Sequence, residues 1–440
     1  MRLFCSLLIS SILNSGIGVS LYQCLNVLLT KDCGPSKVNS FNISKLSPSF
    51  LEWFCGVTDG EGTFYIRKRT SSVFSFKFVI GMHIDDIAML NFIQKTLGFG
   101  KVSINANAAY FEVYDLKNIP KIIEIFTLYP LNTTKYLNFL DFKKAYELYK
   151  SSKSYEVKQE VGRLKDGMNT QRINFKMPES HRIKITPNWL LGFVEGEGSF
   201  FVSKGFNLTF NLVQASIDSD LMYAIRDFFD NLPGTAEFKR DGNDSVVYIG
   251  VFKGSSGKEI TRICIRQTSY IRSVLIPFFE NLEWRSKKSL DFKDWVNILK
   301  LKDRCHQYED KGKKLMDTII NQMNSKRLST SGVKLIPGDS LLKKVNDLLN
   351  GPSNCEIRDG KVWIISLNRF RPVGGLIKPM KIQLQDLNGN IVKTFATQTE
   401  CGKYLNTTRT TIARWLEEGR PVLFEKQLVY ISKGLEEEEE

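Results

Sequence analysis

Histidine is scarce in this 440-residue sequence: only His83, His181 and His306 are present. A catalytic centre built on paired histidines is therefore poorly supported. The eight cysteines, Cys5, Cys24, Cys33, Cys55, Cys264, Cys305, Cys355 and Cys401, are scattered, and none forms a CxxC pair. That spacing argues against a disulfide framework and against a zinc site, and it fits a reducing compartment. Acidic residues are outnumbered, with 47 Asp and Glu against 61 Lys and Arg, even though the chain ends in five glutamates at 436–440. The net charge of +14 points to a polyanionic partner, usually nucleic acid. Charge is missing altogether from residues 3–29. That stretch is long enough to cross a bilayer. Asn14, Gln23, Asn26 and the Gly16/Gly18 pair weaken it as a spanning helix, and Arg2 alone makes a poor transit peptide. It is read either as a membrane or targeting segment or as an extension from an upstream coding segment.

What is present is an ordinary globular composition, 42% hydrophobic and 25% charged, in a chain long enough for two or three domains. The chain also repeats itself, which bears directly on its fold. Residues 54–64 read FCGVTDGEGTF and residues 190–200 read LLGFVEGEGSF, preceded by Trp53 and Trp189. The tetrapeptide LDFK occurs at 140–143 and again at 290–293. Glu61 and Glu197 are 136 residues apart and the two LDFK copies 150 apart, so copy two carries 14 extra residues. The polar, glycine-rich stretch 239–257 is the expected place for them. Within a copy, the motif helix is followed by strand-like runs at 63–68 and 73–82 and a helical run at 84–97 closed by Gly98 and Gly100. Further strand at 101–114 and helices through Tyr149 complete it. The predicted class is α+β, with two pseudo-twofold αββαββα subdomains at 46–150 and 187–301, joined by a polar, basic linker at 151–186.

Gly56 and Gly60, like Gly192 and Gly196, stand four residues apart on one helix face. Each glycine inside a helix costs about 1 kcal/mol relative to alanine, so both pairs need a compensating reason. Close approach of a second backbone is such a reason, and two copies of one face suggest that the helices pack on each other. Gly62 and Gly198 would end the helices, leaving Glu61 and Glu197 at the last turns. Two carboxylates meeting at helix ends that are already negative require a cation. A hard divalent ion, Mg2+ with Mn2+ as the alternative, suits oxygen ligands and supports in-line phosphodiester hydrolysis. A solitary solvated acid at a helix end would be the bland reading, and the duplication with following Phe64 and Phe200 opposes it.

These two eleven-residue segments resemble, without gaps, the motif of the LAGLIDADG homing endonuclease family. The likeness extends through HIDDIAMLNFIQKTLGFGKV (83–102) and YPLNTTKYLNFLDFKKAYELY (129–149), and covers roughly 51–301. The resemblance implies that Glu61 and Glu197 bind the catalytic metals and that Asp59 and Glu195 support the helix ends. Both metal positions carry Glu where the family commonly has Asp. It further implies a water-ordering polar residue, Gln214 in copy two, with His83 the candidate in copy one beside Met82. For the basic active-site residue it suggests Lys117 in copy one and either Arg266 or Arg272 in copy two. It implies two antiparallel sheets saddling the DNA major groove, with Arg67, Lys68, Arg69, Lys77, Lys101, Lys204, Lys239 and Arg240 on or beside the strands.

From 380 to 432 the character changes. QDLNGNIVKTF signals a hairpin turning at Asn388-Gly389. In the stretch that follows, Thr397 or Thr399 can cap a helix ending near Leu405, Asn406-Thr407 can turn, and Thr408 can cap a second helix carrying Arg409 and Arg414. This resembles the small helix-turn-helix DNA-binding modules appended to homing nucleases. Residues 302–379 read as a basic helical linker, 1–45 as the hydrophobic extension and 433–440 as an acidic tail. The expected activity is a site-specific, metal-dependent double-strand break that spreads a host intron, carried out by a monomer on double-stranded DNA. The alternative is an intron RNA maturase, alone or as a second activity. A transcription regulator would leave the paired acids unexplained. By family analogy the expected location is mitochondrial, in the matrix.

Overall fold

In the computed structural model, residues 42–70, 73–239, 245–371, 381–419, 421–424 and 427–433 are described. The uncharged stretch 3–29, Arg240 and the acidic tail lie outside them. Among the described residues no helix is long and apolar enough to cross a membrane. The chain divides into two units: one runs to Val296 and takes back Met323–Lys334, and the other holds Asn297–Gln322 with Leu335 onward.

In the first unit, helix α1 (Pro48–Glu61) starts where Ser47 accepts the Phe50 N–H, with Pro48 in the first turn. Strands β1 (Gly62–Lys68) and β2 (Phe74–His83), helix α2 (Ile87–Leu97), strands β3 (Lys101–Asn105) and β4 (Ala108–Val113), and helices α3 (Ile119–Leu128) and α4 (Lys135–Ser151) follow. The second copy repeats the order. It comprises α6 (Pro187–Glu197), β5 (Gly198–Ser203), β6 (Asn207–Ala215), α7 (Ser219–Asp230), β7 (Tyr248–Lys253), β8 (Glu259–Ile265), a helical run α8 over 268–280 and α9 (Lys288–Asp303). Helix α5 (Tyr155–Asp166) lies between them. Each copy makes an antiparallel sheet with the same order, β1-β2-β4-β3 and β5-β6-β8-β7. One face of each sheet is covered by helices around the motif phenylalanine. Phe64 packs among Phe78, Phe126, Phe139 and Phe142, and Phe200 among Phe210, Phe279, Phe292 and Trp295. The mixed α+β class and paired αββαββα plan expected from the sequence are what the chain adopts, with the last helical part of each copy in two pieces.

Two details of the repeat differ from expectation. The extra residues lie at 231–247, between α7 and β7, where copy one has only 98–100 between α2 and β3. Much of the expected stretch 239–257 is instead the β7–β8 hairpin. Nor are the LDFK copies equivalent positions. Phe139 and Phe142 contact Phe64 as Phe292 and Trp295 contact Phe200, so the true offset is 153. LDFK is thus displaced by three residues, nearly a helical turn, and similar side chains recur on the same face.

The expected linker 151–186 is a structural part of copy one. Beyond α5, Asn169 donates to Phe64 O and Arg172 binds Asn138 and Asp141 on α4. After copy two, Asn324 donates to Phe200 O and Arg327 binds Asp291 and Asp294 on α9. The pentapeptides MNTQR (168–172) and MNSKR (323–327) therefore form one clamp used twice, each fixing a half-buried ion pair against the last long helix of its copy.

In the second unit, α10 (Asp310–Ile320), α11 (Gly338–Asn350) and a sheet of β9 (Cys355–Arg358), β10 (Lys361–Ile364) and β11 (Arg369–Phe370) occupy most of the stretch read as a linker. The C-terminal module wraps a helix pair, α12 (Gln398–Tyr404) and α13 (Arg409–Glu418), in a sheet. The strands are β12 (Ile382–Gln385), β13 (Ile391–Phe395), β14 (Val422–Phe424) and β15 (Gln427–Lys433), in the order β13-β12-β15-β14. Ile382, Leu384, Phe395, Cys401, Ile412, Val429 and Ile431 form its core. Thr397 caps α12, while Glu400 reaches back to the Ala396 N–H. Asn406 turns with φ 51° and Thr408 caps α13.

Candidate active site

Helices α1 and α6 touch backbone to backbone at their glycines. A Cβ on Gly56 would lie 2.0 Å from Trp189 O, and one on Gly192 2.2 Å from Trp53 O. No side chain fits there, which explains why both helices tolerate poor helix formers. One turn later, Gly60 and Gly196 face each other. A Cβ on Gly196 would stand 3.4 Å from Glu61 Oε1, and one on Gly60 3.7 Å from Glu197 Cγ. Each glutamate therefore lies against the glycine of the opposite helix, near enough that the charge on Glu61 acts on Glu197. Gly62 and Gly198 do end the helices, but in extended rather than left-handed backbone, with φ −79° and −75°. Glycine is needed there because a Cβ would strike the preceding turn, 2.5 Å from Thr58 Cγ2 or 2.6 Å from Val194 Cγ1.

The first acids of the motif are fully engaged and buried. Asp59 accepts the N–H groups of Asn132 and Thr133, the Thr133 hydroxyl, and Trp189 Nε1 at 2.8 Å. Glu195 accepts the N–H groups of Arg285 and Ser286, and Trp53 Nε1 at 2.6 Å. Each acid thus ties the loop entering its own subdomain's last long helix to the tryptophan of the other motif helix. A second crossed pair lies alongside: Asp218 accepts the Thr134 N–H and Asp86 the Lys287 N–H, both at 2.7 Å. Burial pushes Asp218 up to about 6 against those hydrogen bonds.

Those loops deliver two amines that the sequence reading missed. Lys135 Nζ donates to the carbonyls of Thr58 and Gly60, and Lys288 Nζ to those of Gly196 and Gly198. They bond carbonyls at and just past each motif helix's end and place positive charge at its negative pole. Burial lowers both lysines' pKa values, while Glu61 and Glu197 act on both in the opposite direction. Desolvation raises Glu61 while both lysines draw it down; desolvation raises Glu197, and the charge on Glu61 raises it further. Lys117 is instead exposed in the turn before α3; Arg266 is exposed just past β8, and Arg272 is exposed in the α8 run. The recoverable sequence cue was TTKYLNF against KKSLDF, aligned at offset 153 and not through LDFK.

Gln214 donates to Glu197 Oε1 at 3.5 Å. Gly62 pairs with Ile80 and Gly198 with Leu212, so the position equivalent to Gln214 is Met82. His83 is one residue further along and bonds Thr330 and the Asp85 N–H. Among the described residues, no group of three or more His, Cys, Asp or Glu side chains is arranged to hold a metal. The donor set is a pair of carboxylates, which suits Mg2+, an ion usually held by one or two carboxylates with water and substrate phosphate completing its shell.

The expected DNA contacts spread over several surfaces. Arg67, Lys77 and Lys101 share the open face of the first sheet; Arg69 follows β1 and donates to Ser75, and Lys77 is paired with Glu112. Lys68 alternates to the other face at the end of β1. Lys204 is exposed in the β5–β6 turn, and Lys239 is half-buried beyond α7. Arg409 and Arg414 lie on α13, where Arg414 is exposed and 3.9 Å from Glu418.

Two like subdomains in one chain, joined by glycine-faced helices that end in facing glutamates, define the class. Residues 54–146 and 190–299 match the model of the LAGLIDADG endonuclease family, and the paired repeat belongs to that family. The chain is 26% identical over 428 residues to the uncharacterized mitochondrial protein RF1 of Saccharomyces cerevisiae, spanning 93% of this chain and 86% of that one. It is 26% identical to the probable intron-encoded endonuclease Cox1-I1b of Schizosaccharomyces pombe, covering 57% of this chain and 64% of the relative. Among solved structures, the homing endonuclease I-GzeII in complex with its DNA target superposes with TM-score 0.53 at 26% identity. That match covers 64% of this chain and 99% of that one.

Proposed function

We propose that the chain is a monomeric, mitochondrial, site-specific DNA homing endonuclease that cuts both strands at an intron insertion site and so promotes intron mobility. The observation that carries this reading is the placement of Glu61 and Glu197 on either side of the glycine contact between α1 and α6, with Lys135 and Lys288 acting on both. The likeness to a structure bound to its DNA target, and to an intron-encoded endonuclease, supports the same substrate.

Glu61 and Glu197 would hold Mg2+, which supplies Lewis acidity to the scissile phosphate and a nucleophilic water. Their raised pKa values indicate that ionising both carboxyls together is costly without a cation. Asp59 and Glu195 hold the helix ends in register and donate nothing to the reaction. Lys135 and Lys288 keep the carbonyl ends neutralised and present positive charge where a phosphate's developing charge would fall. Gln214, within hydrogen-bond reach of Glu197, orients that carboxylate and water near it. The open sheet faces receive the duplex, and α13, with Arg409 and Arg414, supplies a second DNA-binding element.

The test is cleavage of a plasmid bearing the intronless allele in Mg2+. The native chain should convert it to linear product, and the Glu61→Gln/Glu197→Gln variant should bind it without cutting. Undiminished cleavage by that variant would overturn the assignment.

A further inference from the structure

The two open sheet faces differ chemically, although the sheets share one topology. On the first, the register places Tyr65, Arg67, Ser75, Lys77, Tyr110, Glu112, Lys101 and Ser103 side by side, so three cations and one acid stand on it. On the second, Phe201, Ser203, Asn207, Thr209, Arg262, Cys264, Tyr248 and Gly250 take those places, and Asn211, Val213, Ile260 and Phe252 extend the same face where the first sheet has Val79, Gly81, Ala108 and Asn105. Arg262 is the single charge among them, and its guanidinium lies 4.8 Å from the Phe252 ring centre. Phe201 is 48% exposed, Tyr248 59% and Phe252 36%, although apolar rings of this size are usually buried. Positive charge in this subdomain is displaced to the hairpin tips, where Lys204, Lys253 and Lys258 are exposed. Such tips suit phosphate contacts, which position a duplex without reading it.

We propose that the two sheets read half-sites of different base chemistry, and that the half under β5–β8 is rich in A·T pairs. The inference rests on the endonuclease reading. In the major groove only thymine offers a methyl group, which Phe201, Val213 and Phe252 can cover; Asn211 can pair with adenine N6 and N7. Guanine is read best by Arg and Lys, of which the first face carries three and the second only Arg262, stacked over Phe252. A G·C-rich half under the second sheet would leave polar base edges against aromatic rings, unpaired and desolvated. Both sheets belong to one compact unit whose two halves pack through the α1–α6 contact, and one duplex spanning both faces is part of the proposal.

The experiment uses the full chain, a target selected from randomised duplexes, and equilibrium binding in metal-free buffer, so that cleavage is not the readout. Thymines are replaced by deoxyuridine in one half at a time, which removes only the methyl group. In one half each methyl removed should weaken binding roughly three- to fivefold, the value of one buried methyl group; in the other half binding should be unchanged. Phe201→Ser and Phe252→Ser, at exposed positions and with unfolding temperature checked, should abolish that sensitivity; Arg67→Ala should leave it intact. Equal sensitivity in both halves, or sensitivity that survives the phenylalanine variants, would overturn the proposal while leaving the endonuclease reading standing. Failure to select any duplex would overturn both.

Discussion

At the residue scale, Glu61, Glu197 and Asp218 have pKa values raised above those of free carboxyls. A raised folded-state pKa contributes stability that is fully present below the unfolded pKa and is lost as pH rises through the folded one. For Asp218 that loss sets in above the free-carboxyl value and is complete once pH has passed about 6. Relative to the native chain, Asp218→Asn should therefore gain unfolding temperature between about pH 4 and about pH 7, because Asn still accepts the Thr134 N–H without ionising. For the two glutamates, Mg2+ should raise the native unfolding temperature more at about pH 8 than at about pH 5. It should do nothing for the Glu61→Gln/Glu197→Gln variant. Scanning calorimetry across pH checks both, and equal Mg2+ effects in the two proteins would remove the carboxyls from metal binding. The inequality of Gln214 and Met82 has a kinetic consequence. Nicked circles should accumulate before linear product, and Gln214→Leu should slow one strand by about tenfold, the worth of one hydrogen bond to a charged group. Met82→Gln should narrow the difference between strands on end-labelled duplexes.

At the element scale, the α1–α6 contact and the two clamps carry the stability of the paired subdomains. Gly56→Ala places a methyl 2.0 Å from Trp189 O, between two backbones that cannot yield. The cost should exceed about 3 kcal/mol, seen as loss of soluble protein or a sharply lowered denaturation midpoint. Arg172→Ala and Arg327→Ala should each cost about 1–3 kcal/mol, because each strands half-buried aspartates, Asp141 in the first and Asp291 with Asp294 in the second. Near-equal losses in urea melts would confirm the clamps as equivalent, and a loss confined to Arg172→Ala would show that the second is dispensable. The helix-turn-helix pair depends on a smaller core, in which Ile412 and Cys401 lie under the sheet.

For the molecule as a whole, candidate DNA-facing cations stand on the first sheet, at the hairpin tips of the second and on α13, where Glu417 and Glu418 balance Arg409 and Arg414. Affinity contributed by phosphate contacts should fall with salt. Arg414→Ala should weaken binding evenly across duplex sequences and reduce the salt slope by about one, whereas Arg67→Ala should change the preferred bases. Fluorescence anisotropy at several salt concentrations separates the two. An Arg414→Ala variant with an unaltered slope would place α13 away from DNA.

The chain alone was enough to read the α+β class, the duplicated motif helices, their glycine faces, the helix-turn-helix with its Thr397 and Thr408 caps, and the position of Glu61 and Glu197 at the helix ends. These are local patterns or direct repeats, so spacing and residue type suffice. The tertiary structure decided which amines meet the acids. Lys135 and Lys288 are 74 and 91 residues from Glu61 and Glu197; they arrive only because Asp59 and Glu195 capture the loops before α4 and α9. The clamp residues Arg172 and Arg327 had looked like linker for the same reason, since their partners lie more than thirty residues away. The LDFK coincidence set the repeat three residues out of register, and only packing against Phe64 and Phe200 shows which helical turn corresponds to which. Strand alternation likewise decided that Lys68 faces away from Arg67 and that the second sheet offers rings where the first offers charge. Side-chain direction follows from pairing between strands, and pairing is a long-range property.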